Sequence, residues 1–219
     1  MKGERGILTL FMLILFGMAA YSIGSELFGA STNGYYAGAT CLVSGIAISI
    51  PIVLRWRDKI TLPVWFIFLI FLALFLHALG VMQGYYDTLN WWDSVTHYFS
   101  SMMVAAISFI FIYLADWYLE SVHIPPRLMP VIVVAVGCSF GVIWEIFEWS
   151  ADTLFDTGMQ YSLDDTMQDL LMDFLGALTM GVVGWIYLRQ HSPGDLAMEL
   201  GLDPYLSRLS EWWGSLLER

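Results

Sequence analysis

Eight ionisable side chains lie within or at the ends of apolar stretches of this sequence, at spacings that group them on shared helix faces. They are two histidines and six carboxylates, in chain order His77, Asp93, His97, Glu145, Glu148, Asp165, Asp169 and Asp173. Asp93 and His97 are four residues apart, and Glu145 and Glu148 are three apart, so each pair shares a helix face. The last three aspartates recur at every fourth position and form one line down a helix. Ionisable groups inside a membrane span cost about 2.5–3.5 kcal/mol each on insertion scales, which makes these residues functional candidates.

This set of side chains predicts a bound divalent cation. Repulsion among carboxylates can be relieved by cationic partners, by protonation or by a metal ion. The loops on this side of the predicted membrane contain no Lys or Arg. Carboxylate oxygens with imidazole nitrogens suit zinc, manganese or iron. The expected metal ligands are His77, Asp93, His97, Glu145, Asp165, Asp169 and Asp173, and we expect Glu148 to act as a general base.

Structural roles for some of these residues remain open. Asp93 could be the N-cap of its helix, and Ser162 with Asp165 has the spacing of a capping box. His77 follows an all-apolar run, where a histidine can simply be a packing residue. The di-iron signature of helical bundles needs Glu-x-x-His, whereas this chain has Glu145-x-x-Glu148, so the pattern does not favour a di-iron centre. Capping does not exclude ligation.

The elements that must position this cluster are membrane-spanning helices. The chain has 219 residues, of which 58% are hydrophobic and 13% charged, whereas soluble domains carry about 25% charged residues. Six stretches have the roughly 20 apolar residues that a spanning helix needs. They are Ile7–Ile23, Tyr36–Leu54, Ile60–Met82, His97–Tyr118, Leu128–Trp149 and Met167–Leu188. The sequence therefore predicts an all-α, polytopic membrane protein, and its net charge of −11 argues against a nucleic-acid partner.

The distribution of cations predicts the orientation, because Lys and Arg collect on the cytoplasmic side. With six spans, all nine cations fall at the N-terminus, in the second–third and fourth–fifth loops, or after the sixth span. We therefore expect both termini in the cytoplasm, a multi-pass location in the plasma or inner membrane, and the acidic cluster in the outer half of the bundle. The first stretch also resembles a signal peptide, with Lys2 and Arg5 before its apolar run, so its retention is open.

Two regions are expected along the chain. Residues 1–190 would form the transmembrane domain, with the motifs in 60–188, and residues 191–219 a cytoplasmic tail. In the tail, apolar residues recur at helical spacing, which predicts an amphipathic helix at the inner membrane interface. A helix packed on the bundle or on a second subunit fits the pattern equally, and a homo-oligomer is open.

The order of the motifs resembles the YjdF-type inner-membrane proteins, within the broader VanZ-like superfamily. The motifs are His77-Ala-Leu-Gly80, Trp92-Asp93-x3-His97, Trp144-Glu145-x2-Glu148-Trp149 and Asp165-Thr166-x2-Asp169-x3-Asp173-x2-Gly176-Ala177. The resemblance covers roughly residues 60–188 and implies a polytopic helical protein with a polar intramembrane cluster. Where VanZ-like proteins often have Gln and Asn, this chain has Glu148 and Asp173. The resemblance does not imply a settled reaction.

Three functions fit these residues. The first is a metal-dependent enzyme acting on a membrane lipid or small amphiphile at the outer leaflet, because a metal can polarise a substrate oxygen or activate water. The second is a transporter or channel for protons or divalent cations, although the inner halves of the spans have few polar residues. The third is a non-catalytic membrane subunit in which the polar cluster fixes helix packing.

Overall fold

The computed structural model describes residues 2–30, 33–119 and 123–217, and within these ranges the chain is helical and contains no β-strand. The helices, in chain order, are α1 Lys2–Leu27, α2 Gly34–Trp56, α3 Val64–Gln83, α4 Tyr85–Thr88, α5 Trp92–Tyr118, α6 Met129–Phe155, α7 Leu163–Leu188, α8 Pro193–Glu199 and α9 Asp203–Leu217.

Six of these helices, α1, α2, α3, α5, α6 and α7, are long and apolar enough to cross a membrane. The predicted all-α fold with six spans is thus confirmed. The orientation of the termini and the division of the chain at residue 190 stay predictions.

The six spanning helices all begin at residues other than the first residues of the predicted apolar stretches, and the physical reason or the consequence is clear for three of them. The third span starts at Val64 rather than near Ile60, because Pro63 stands at its N-cap with an extended backbone. The fourth starts at Trp92, which puts Asp93 in the first turn instead of at the cap. The sixth starts at Leu163 after Ser162, whose hydroxyl accepts a hydrogen bond from the Asp165 amide at 3.1 Å. That bond is one half of the predicted capping box.

Residues 1–96 form one compact unit. Its core contains Leu8 and Leu15 of α1, Cys41 and Ile48 of α2, and Ile67 of α3, all essentially inaccessible to solvent. Near the end of this unit, Gly80 lies against Trp92 and Tyr86, so that any larger residue there would clash with their rings.

Residues 97–219 form the second compact unit. Glycines let the long helices of this unit approach closely, as is common between membrane helices. Gly137 of α6 lies against the side chain of Ala177 on α7, and Gly176 of α7 lies against the backbone carbonyl of Tyr98 on α5. A hydrogen bond of 3.0 Å between the hydroxyls of Tyr98 and Thr179 joins the same two helices. This close packing brings the polar faces of α5, α6 and α7 together.

Candidate metal centre

His97 of α5 is buried between carboxylates from two other helices of the second unit. Its Nδ1 atom is 3.2 Å from Oδ2 of Asp173 on α7. Its Nε2 atom is 3.8 Å from Oε1 of Glu145 on α6. The two nitrogens of one imidazole therefore face acidic groups supplied by different helices.

Asp169 adds a second carboxylate from α7. It is 1% exposed, and it offers a ligand atom within 4.8 Å of one on His97. Asp169 and Asp173 are one helical turn apart, so they share the face that α7 turns toward the protein. Asp165, one further turn toward the start of α7, is only partly buried. The structure thus buries two of the three aspartates in the predicted line.

The sequence of α6 places Glu145 and Glu148 on its buried face. Gly137, Gly141, Glu145 and Glu148 are all buried, and their spacing of four, four and three residues keeps them on one side of the helix. Ile146 and Phe147, between the two glutamates, are more than half exposed. Since α6 is long and apolar enough to span a membrane, its apolar side can face lipid while its acidic side faces the protein.

Gly141 makes room for Asp173. A Cβ atom at position 141 would overlap the Asp173 carboxyl group, so only glycine allows this aspartate to approach α6 without displacement. The hydroxyl of Ser101, buried on α5, donates a 2.8 Å hydrogen bond to the backbone carbonyl of Asp173. These contacts from α5 and α6 fix the position of the aspartate that bonds His97.

Glu148 is held by a residue of its own helix. The indole Nε1 of Trp144, one turn earlier, donates a 2.8 Å hydrogen bond to Oε1 of Glu148. The carboxylate is 7% exposed. This bond sets the orientation of the carboxylate from within α6.

The residue types at this site, an imidazole with carboxylates, are ones that divalent metal ions accept as ligands. The 3.8 Å between Nε2 of His97 and Oε1 of Glu145 exceeds the range of about 2.7–3.2 Å for a hydrogen bond. Two ligand atoms on one tetrahedral zinc ion, with bonds of about 2.0–2.1 Å, lie about 3.3 Å apart. Nε2 of His97 and Oε1 of Glu145 would therefore have to move slightly closer to bind one ion. The helices α5, α6 and α7 contain no Lys or Arg. No lysine or arginine from these helices can therefore balance the four buried carboxylates, and His97 is the one basic side chain that these helices supply.

His77 and Asp93 belong to the first unit, where hydrogen bonds connect them. Nδ1 of His77 is 2.8 Å from the hydroxyl of Tyr86, which in turn lies 3.4 Å from the hydroxyl of Thr96. Thr96 donates at 2.8 Å to the backbone carbonyl of Asp93 and lies 3.4 Å from its carboxylate. Asp93 lies one turn before His97 on α5.

Sequence reasoning missed Tyr86, Thr96, Ser101 and Trp144 as partners of the predicted site residues. Ser101 lies four residues after His97, and Trp144 lies four residues before Glu148. This spacing puts each pair on one helix face, so it could have identified both partners from the sequence. For Tyr86 no such signal exists, because the turn at Gly84, where the backbone is left-handed, brings its ring back to His77.

Comparisons with known proteins identify a family but no activity. A family model described as "Predicted membrane protein (DUF2238)" matches residues 7–190. An uncharacterized protein from Thermotoga maritima is 29% identical over 113 residues, which cover 51% of this chain and 57% of that protein. The match thus spans little more than half of the relative. No solved structure matches the chain.

Proposed function

The chain belongs to the DUF2238 family of predicted membrane proteins, and we propose that its second unit binds a divalent metal ion through His97, Glu145 and Asp169. We propose further that this centre serves a reaction on a membrane lipid or a small amphiphile. The observation that carries the proposal is the buried His97 imidazole, with its Nδ1 bonded to Asp173 and its Nε2 turned toward Glu145.

Asp173 takes the role of an orienting residue in this proposal. A histidine that ligates a metal through one nitrogen almost always donates its other N–H to a carboxylate, a backbone carbonyl or water, which fixes the tautomer and the ring orientation. The Nδ1–Oδ2 bond of 3.2 Å matches that arrangement. Nε2 is then the ligand atom, and it is the nitrogen that faces Glu145.

The proposed chemistry divides between the metal ion and Glu148. A divalent cation, when bound, polarises a substrate oxygen as a Lewis acid. Glu148 is the general base, and it accepts the proton of the nucleophile that attacks the substrate. A carboxylate has about four lone-pair sites, so the bond from Trp144 orients Glu148 without using up its capacity to accept. A fixed orientation is what a general base needs, because it must lie within hydrogen-bond reach of the proton it removes.

The membrane location of the site suggests the substrate class. His97, Glu145 and Asp169 all lie inside helices that are long and apolar enough to span the membrane, so a substrate with an apolar part can approach from the lipid. Since α5–α7 contain no Lys or Arg, a phosphate group on that substrate would depend on the metal for charge neutralisation. The predicted orientation puts this site in the outer half of the bilayer.

The metal proposal is tested by elemental analysis of the detergent-purified protein, made without added metal and with an affinity tag that contains no histidine. We expect about one equivalent of zinc, manganese or iron per chain, and its loss in the isosteric variants Glu145→Gln and Asp169→Asn. Asp164→Asn is the matched control, because Asp164 is exposed in the first turn of α7. Absence of stoichiometric metal after dialysis against each ion would overturn the proposal, as would equal loss in Asp164→Asn.

The enzymatic part is tested with vesicles of total membrane lipid extract. Wild type and Glu148→Gln are each reconstituted, and the lipids are compared by mass spectrometry. We expect one lipid species to be consumed by the wild type and to persist with Glu148→Gln. Identical lipid profiles for the two proteins would contradict a lipid reaction while leaving the metal measurement intact.

A structural role is the second candidate, and the bonds between α5 and α7 favour it. Ser101 donates to the backbone of Asp173, and Tyr98 bonds Thr179. Such bonds act as interhelical glue, worth about 0.6 kcal/mol each on average. A protein that holds no metal and loses helical stability in Asp169→Asn and Glu145→Gln would favour this role.

We also propose that the chain is related to the YjdF-type proteins of the VanZ-like superfamily. The support is the order of its four motifs along residues 60–188. A solved VanZ-like structure lacking a buried histidine and acidic pair on neighbouring helices would contradict the relationship.

A further inference from the structure

The helix α9, at Asp203–Leu217, leaves a row of large apolar side chains uncovered. Tyr205, Leu209 and Trp212 are 49%, 50% and 56% exposed. Their spacing of four and three residues keeps them on one side of the helix, and Trp213, 39% exposed, widens the row. The second unit therefore does not bury this face of α9.

The opposite side of α9 is polar. Arg208 and Glu211 are exposed and Ser207 is partly buried. At 3.6 residues per turn, Ser207 and Glu211 fall on the other side from the apolar row, while Arg208 flanks the row beside Trp212. An exposed apolar row beside a charged side is the pattern of a helix that lies in a membrane interface.

One contact places the start of α9 next to the end of a membrane span. The hydroxyl of Tyr118, the last residue of α5, donates a 2.6 Å hydrogen bond to Oδ1 of Asp203, the first residue of α9. Since α5 is a candidate span, its end lies near the boundary between apolar chains and water. The apolar row of α9 thus begins at the depth where Trp and Tyr side chains concentrate in membrane proteins.

We propose that α9 lies in the membrane interface beside the end of α5, with Tyr205, Leu209 and Trp212 inserted among the lipids. Trp117, the residue before Tyr118 on α5, is also 57% exposed. Exposed aromatic side chains therefore stand on both helices that meet at the Tyr118–Asp203 bond, and a membrane interface is an occupant that can cover both.

The charges of α9 specify the kind of membrane contact. From Asp203 onward the chain has two arginines and three acidic residues, which gives 2 − 3 = −1. Basic interfacial helices gain attraction from anionic lipids, and α9 lacks the required excess of cations. Its insertion therefore depends on the apolar row and is independent of the lipid charge.

The test uses the full chain with Cys41 and Cys138 replaced by Ala, single cysteines in α9 and nitroxide spin labels, reconstituted in phosphatidylcholine vesicles. Collisions with oxygen report lipid exposure, and collisions with a water-soluble nickel chelate report water exposure. We expect the oxygen-to-nickel ratio at Leu209→Cys and Trp212→Cys to exceed that at the matched control Glu211→Cys several-fold. The ratios should not change when anionic lipid is added.

Three results would overturn the proposal. High nickel accessibility at positions 209 and 212 would put the apolar row in water. Low accessibility to both reagents, with spin–spin broadening that grows with the protein-to-lipid ratio, would assign the face to a second copy of the chain. A ratio that rises only with anionic lipid would make the contact electrostatic. Labels on exposed positions leave the fold intact, which circular dichroism of each variant checks.

Discussion

His97 and Asp173 are 76 positions apart in the chain, yet Nδ1 of His97 lies 3.2 Å from Oδ2 of Asp173. The bond joins α5 to α7 through a buried imidazole and a buried carboxylate. It fixes which nitrogen of the ring faces Glu145 on α6. The geometry thus separates two kinds of residue around His97. Asp173 orients the imidazole, whereas Glu145 lies where it could bind the same metal ion as His97.

Replacing Asp173 tests this separation. We expect Asp173→Asn to weaken zinc or manganese binding about 10–100-fold, the usual effect of losing a partner that orients a ligand. We expect His97→Ala to abolish binding, because it removes the ligand itself. The dissociation constants are measured by competition with a chelator, with Asp164→Asn as the control. If Asp173→Asn binds no better than His97→Ala, Asp173 is itself a ligand, as the sequence analysis predicted.

Replacing Gly141 with alanine tests the space that Asp173 occupies. The new Cβ would overlap the Asp173 carboxyl group, and overpacking of this kind costs about 1–3 kcal/mol. We expect a lower thermal unfolding temperature in detergent for Gly141→Ala. Gly17→Ala is the control, because Gly17 lies within α1 with open space around it. Equal unfolding temperatures for Gly141→Ala and the wild type would show that the α6–α7 contact tolerates a side chain.

The start of α8 should respond to pH. Hydrogen bonds from the Ser192 hydroxyl and backbone N–H hold the pKa of Asp195 below its usual range. A lowered pKa in the folded state means that Asp195 stabilises α8 above its unfolded pKa of about 3.9, and that this stabilisation is lost as the pH falls through the folded pKa.

Hydrogen exchange of the α8 amides, corrected for the intrinsic pH dependence, measures this effect. We expect protection at neutral pH to be lower in Asp195→Asn than in the wild type, and the difference to shrink in acid. A difference that stays constant from neutral pH to well below pH 4 would contradict the assignment. Asp164→Asn, at an exposed position of α7, serves as a control for a general loss of charge.

Asp152 organises the segment between α6 and α7. Its carboxylate accepts hydrogen bonds from the Met159 amide at 2.8 Å and the Gln160 amide at 2.9 Å, and from the Thr157 hydroxyl. We expect Asp152→Ala to be cut faster within residues 156–161 by a broad-specificity protease, because these donors lose their acceptor. Cleavage is followed by mass spectrometry of the reconstituted protein.

Asp156→Gly provides the matched control for that experiment. Asp156 ends α6 in the left-handed region with a φ of 54°, which favours glycine. Asp156→Gly should therefore keep the segment at least as resistant as the wild type. Equal cleavage rates for Asp152→Ala and Asp156→Gly would mean that the acceptor at 152 does not hold the segment.

The sequence was sufficient to predict the spans and the buried side of each polar helix. Runs of about 20 apolar residues are typical of membrane-spanning helices. The structure has helices at all six predicted stretches. The buried position of Glu145 and Glu148 follows from their spacing and from Gly137 and Gly141 on the same face. These are properties of single helices, which local spacing encodes.

The arrangement between helices could not be predicted in the same way. Spacing on α7 treats Asp165, Asp169 and Asp173 alike, whereas in the structure Asp169 and Asp173 are buried and Asp165 is only partly buried. The difference arises from the relative height of α5, α6 and α7. That height depends on close contacts such as Gly176 against the Tyr98 carbonyl, which no single stretch of sequence specifies.

The contact between Gly141 and Asp173 has a consequence for the evolution of this family. Because an added methyl group at 141 would occupy the space of the carboxyl at 173, position 141 cannot become larger unless Asp173 or one of the two helices moves. Substitutions at the two sites are expected to be correlated across family members, with a larger residue at 141 accompanied by a smaller one at 173. Lineages that made this exchange would also have given up the carboxylate that orients the imidazole at position 97, and a metal centre there would have to hold its histidine by another contact.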